Sequence, residues 1–153
     1  MLKHLYISNF TLIDELDITF SSGFSVITGE TGAGKSIIIG AVGMLLGNRA
    51  DVKMIKSGKD KCVVEAIFSI SDYDSDFIDR FLEDSNLDSN GSECILRREI
   101  NTNGKNRAFI NDTPVTLSTL KSLGEHLMDI HSQHQNLMLN KEDFQLNVID
   151  IFA

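Results

Sequence analysis

The sequence predicts an α/β fold: a core sheet that leads into a phosphate loop, with an antiparallel β element packed beside it, supplied by residues 1–28 and 94–115. Three observations carry this. The stretch "GETGAGKS", residues 29–36, fits Gly-x-x-x-x-Gly-Lys-Ser/Thr through Gly29, Gly34, Lys35 and Ser36. A short β-rich run, "FSVIT" (24–28), precedes it, and an apolar helical run, "SIIIGAVGMLLG" (36–47), follows it. Strand-like segments lie on both sides of that unit. Strand, glycine-rich loop and helix is the order a phosphate loop needs.

The elements follow in order. "LKHLYISNF" and "ELDITF" read as strands, the second alternating Leu16, Ile18 and Phe20 against Asp17 and Thr19. "SSG" turns the chain into the run before the loop. After the first helix, "CVVEAIFSI" (62–70) reads as a strand. The stretch 71–90 reads as an acidic amphipathic helix with Phe77, Ile78, Phe81 and Leu82 on one face. "CILRREI" and "RAFINDTPV" form a hairpin around "NTNGKN", with Asn103-Gly104 as the turn and Pro114 at its end. "TLSTLKSLGEHL" reads as a helix with Leu117, Leu120 and Leu127 on one side, "MDIH" as a short strand, and "SQHQN" as a polar loop. A last helix over "NKEDFQLNVIDIFA" starts at a cap on Asn140, with Asp143 three residues on.

The chemistry of 29–36 follows from its residue types. Glycines at 29, 32 and 34 let the backbone come close to an anion and turn its N–H groups inward. The helix that follows adds its own N-terminal N–H groups. Lys35 reaches the β/γ-phosphates and the Ser36 hydroxyl ligates Mg²⁺. A dinucleotide fingerprint fails, because Ile37 stands where its third glycine belongs.

Composition narrows the class. At 153 residues, 42% hydrophobic and 24% charged, the chain has the make-up of one globular domain. No apolar run approaches the roughly 20 residues of a membrane span, and no secretion signal opens the chain. Cys62 and Cys94 read as small core residues in a reducing cytoplasm. The net charge of −8 argues against the whole surface binding nucleic acid. The charge is uneven: 71–90 holds seven Asp/Glu against one Arg, while 94–109 holds four Lys/Arg against Glu99. His126, His131 and His134 lack the fourth nearby ligand that structural zinc needs.

A complete P-loop ATPase also needs an acidic residue on the metal side. "LNVID", ending at Asp150, and "HLMD", ending at Asp129, imitate it imperfectly. The chain alone is therefore expected not to turn over ATP.

The stretch "LKHLYISNFTLIDELDITFSSGFSVITGETGAGKSIIIGAVGMLLGNRAD" resembles the start of the RecN family, the SMC-like ABC ATPases of bacterial DNA double-strand-break repair. The resemblance continues through "GKNRAFINDTPV" and "LGEHLMDIHSQHQ" to "LNVIDIFA" and covers essentially the whole chain. It implies that residues 1–153 form the N-terminal lobe of an ABC/SMC-like head, without its coiled coil and C-terminal lobe. It implies ATP and Mg²⁺ held by Gly29, Glu30, Thr31, Gly32, Ala33, Gly34, Lys35 and Ser36. Gln133 in "HSQHQ" resembles the family's Q-loop glutamine, which joins Ser36 on the metal; the family often has "HGQHE" there. Arg49 in "GNRAD" matches a family arginine near nucleotide or DNA. The implied partners are the C-terminal lobe, a second head that sandwiches ATP, and DNA through the full-length protein. The implied location is the cytoplasm, with the nucleoid and no membrane. Two other functions remain open from the residues: a free-standing small P-loop kinase, and an interaction domain with a vestigial P-loop.

Overall fold

The computed structural model describes residues 1–29, 32–71 and 75–131. Its frame is one sheet of six strands: β1 (Leu2–Phe10), β2 (Ile13–Thr19), β3 (Lys61–Ser69), β4 (Glu93–Asn101), β5 (Asn106–Ile110) and β6 (Thr113–Val115). They lie in the order β2-β1-β3-β4-β5-β6, every neighbouring pair antiparallel. Among the described residues, three α-helices accompany the sheet: α1 (Gly32–Leu45), α2 (Ser75–Asp84) and α3 (Leu117–Leu127).

Alternation along the strands makes the sheet two-faced. Leu5, Ala66, Leu96 and Ile110 lie side by side across β1, β3, β4 and β5 on the inner face. All four are buried, together with Ala41, Met44 and Leu45 of α1, Ile78 and Leu82 of α2, and Leu120, Leu123 and Leu127 of α3. The outer face is laced with charge. Arg97 pairs with Asp112 at 2.5 Å, Glu99 at 3.3 Å and Glu65 at 3.5 Å, and lies 4.4 Å over the Phe109 ring. Cys62 and Cys94 are fully buried, and burial pushes their thiols up to about 11 and about 12.

The expected hairpin stands at Thr102–Lys105, where Gly104 takes φ +82°. "RAFINDTPV" does more than the periodicity suggested. Asn111 and Asp112, at φ +47° and +63°, turn it back on itself as β5 and β6. Two positive-φ residues match the twist of the flanking strands, and Asn and Asp tolerate that conformation. Pro114, paired with Phe109, sits on the edge strand, where its missing N–H breaks no ladder.

Two predicted strands are not formed. Residues 24–29 run as irregular chain, with Phe24 94% exposed and Val26 66% exposed. Met128–His131 is irregular too. Both runs have the composition of strands, but no described strand lies beside them to pair their backbone groups. The predicted helix at the C-terminus, with Asn140 and Asp143, lies outside the described residues.

Candidate phosphate-binding site

α1 begins at Gly32, inside the glycine motif, rather than at Ser36. The helix start therefore contains Gly34, Lys35 and Ser36, and the Gly34 N–H falls within its first turn. Its first turn carries no acidic residue. A helix start of this kind favours an anion. Lys35 and Ser36 are exposed. A Cβ added at Gly29 or at Gly34 would meet nothing within 4 Å, so packing within the chain does not explain these glycines. Open backbone, an exposed lysine and an uncompensated helix start are the parts that fit a nucleotide's phosphates. Glu30, Thr31 and Gln133 lie outside the described residues, as does Asp150. The side chain of Ala33 likewise lies outside the described part. Asp129 pairs with His131 at 3.0 Å on the surface.

The other end of α1 is closely held. Gly47, at φ +82°, ends the helix: its N–H donates to Met44 O, and the Asn48 N–H donates to Gly43 O. α3 crosses against this end through Gly124, where an added Cβ would lie 2.8 Å from Leu45 O. Arg98 reaches in from β4. Its Nη1 donates to Met44 O (2.8 Å) and Asn48 O (2.7 Å), and its Nε donates to Asn106 Oδ1 (3.0 Å). Arg98 is fully buried, and that burial holds its guanidinium below the usual arginine pKa. Sequence reading missed this role, although the alternation Cys94, Leu96, Arg98, Ile100 already points Arg98 inward. Arg49 lies past this end, outside α1, and is exposed.

The strands also sort the charges. β3 and β4 meet at Ser69–Glu93 at one end, where the acidic 71–90 segment joins them. At the other end, Lys61 faces Asn101, and the Thr102 N–H donates to Asp60 O. That end gathers Lys53, Lys59, Lys61, Lys105 and Arg107, all exposed. The two ends stand about 26 Å apart along β3 at about 3.3 Å per residue.

This sheet, with the glycine loop running into α1, defines the class: the N-terminal lobe of an ABC/SMC-like P-loop ATPase head. The chain belongs to the family described as an AAA domain, whose model matches residues 4–152. It is 47% identical over its full length to the DNA repair protein RecN of Vibrio cholerae and spans 27% of that relative. It superposes on the SMC head domain from Thermotoga maritima with a TM-score of 0.60 at 27% identity, over 80% of this chain and 41% of that one. A structure from work on ATP-driven dimerisation and DNA-stimulated activation of SMC ATPases gives 0.64 at 20% identity, over 99% of both chains. Among the described residues, no helix is long and apolar enough to cross a membrane.

Proposed function

We propose that this chain is the ATP-binding N-terminal lobe of a RecN-like ATPase that acts in DNA double-strand-break repair. The observation that carries it is the start of α1: an acid-free helix end preceded by bare glycine backbone and bearing the exposed Lys35. The backbone from Gly29 to Ser36 wraps the phosphates, with Glu30, Thr31, Gly32 and Ala33 supplying N–H groups. Lys35 reaches the β/γ-phosphates. Ser36 and Gln133 ligate Mg²⁺, which when bound screens the phosphate charge. The missing parts of the site come from a C-terminal lobe and a second head, and the exposed run at 24–28 is the edge on which the C-terminal lobe adds strands. This reading is supported by the likeness to RecN over the whole chain and by the SMC head structures.

The test is calorimetry with Mg-ATP. Lys35→Ala is expected to weaken binding by about 1.5–3 kcal/mol, the worth of a charged hydrogen bond. Equal affinities in the two proteins would refute the assignment.

For the DNA partner, the basic end of β3 and β4 supplies the surface. Lysines with Ser57, Thr102 and Asn103 around them suit phosphate oxygens, which carry affinity without reading sequence. The Lys59→Glu, Lys105→Glu double variant is expected to lower the slope of log affinity against log salt by about 2 on a duplex. An unchanged slope and affinity by fluorescence anisotropy would remove this end from the reading.

A further inference from the structure

We propose that Arg98 is a positioning residue for the phosphate loop: its buried guanidinium ties the C-terminal end of α1 to the β4–β5 hairpin and so fixes where the start of that helix meets phosphate. The inference rests on the nucleotide reading above.

The fold has no need of a charge at this position. Across the sheet, the residues in register with Arg98 are Ile7, Val64, Ala108 and Val115. An apolar side chain would complete that row, as Leu96 and Ile100 complete theirs. A buried cation is costly without a counter-ion, and the described acceptors of Arg98 are neutral: two backbone carbonyls and the Asn106 amide. Its Nη2 is buried with no partner among the described residues.

What the charge does do is act on α1. The last turn of α1 has no basic residue of its own. Arg98 supplies that cation from another element, at the negative end of the helix dipole. Elsewhere among the described residues α1 is held mainly by apolar packing, with Ala41, Met44 and Leu45 fully buried. Its side chains are apolar on most sides, and Ile39 near the loop is 43% exposed. Arg98 Nη1, donating to both Met44 O and Asn48 O, adds directional contacts that fix this end of α1 along its axis. α1 is thus held at one end and presents the other to phosphate. Asn106, itself exposed, closes the link to the hairpin whose loop carries Lys105.

The experiment compares wild type with Arg98→Met, Arg98→Lys and Asn106→Ala. It measures Mg-ATP affinity by calorimetry, the urea midpoint, and amide exchange across residues 33–38, all well below the unfolding temperature. Arg98→Met is expected to keep a midpoint near wild type but bind Mg-ATP about 10-fold more weakly, the scale of one weakened charged hydrogen bond. Its amides at 33–38 exchange faster. Arg98→Lys recovers part of the loss, and Asn106→Ala shows a smaller change in the same direction. Wild-type affinity and wild-type exchange in Arg98→Met overturn the proposal. If Arg98→Met does not fold, unchanged affinity and exchange in Asn106→Ala overturn it instead. If wild type itself shows no ATP affinity, the nucleotide reading fails separately, and exchange across 33–38 alone decides the role of Arg98.

Discussion

Arg98→Ala is expected to lower the unfolding free energy by about 3 kcal/mol. Three contributions combine. The cavity left by a long, fully buried side chain in the row of Ile7, Val64 and Ala108 costs on the order of 2 kcal/mol. Loss of the charge-assisted bonds to Met44 O, Asn48 O and Asn106 Oδ1 adds to it. Relief of the desolvated charge offsets part of the loss. Arg98→Met separates these effects. It fills the space without the charge, and its stability is expected within about 1 kcal/mol of wild type. Urea unfolding followed by circular dichroism gives both numbers. An alanine variant as stable as wild type would mean that the guanidinium is not an anchor.

Gly124→Leu is the second large effect, about 2 kcal/mol. The cause is steric. A Cβ at 124 lies 2.8 Å from Leu45 O and 3.1 Å from Leu46 Cδ2. The first contact is with backbone at the end of α1, which cannot rotate away. Leucine therefore forces α3 off α1, an overpacking cost of about 1–3 kcal/mol or more. The helix propensity of leucine returns about 1 kcal/mol of this. Glu125→Leu, one residue along on the exposed side, serves as control and is expected to change stability by less than about 0.5 kcal/mol. Thermal or urea unfolding of the two variants decides it: equal midpoints would show that the helices do not need glycine to approach.

Much of the lobe was legible from the chain itself. Alternation in "ELDITF" and "CVVEAIFSI" marks strands that the structure forms as β2 and β3. The apolar face of 75–84 buries Ile78 and Leu82. The α3 register was read less well: Leu123 is buried, while Leu117 is 40% exposed. Asn103-Gly104 marked the β4–β5 turn, but the second turn at Asn111-Asp112 lacks a glycine and passed as continuous strand. At the candidate site, Gly29 to Ser36 were proposed from the motif alone, because a phosphate loop is specified by residues next to one another in the chain.

The sequence by itself determined the two-faced strands and the acidic and basic segments, since each depends on residues within a few positions of one another. The tertiary structure decided two things the chain could not show. Among the described residues it left "FSVIT" and "MDIH" without a strand partner, because a strand needs a partner's backbone, and β propensity in one segment cannot supply it. It also placed Arg98 against the end of α1, joining residues some 50 positions apart. Only packing brings such distant groups together, and only then does an arginine in a strand become the cation that its helix lacks.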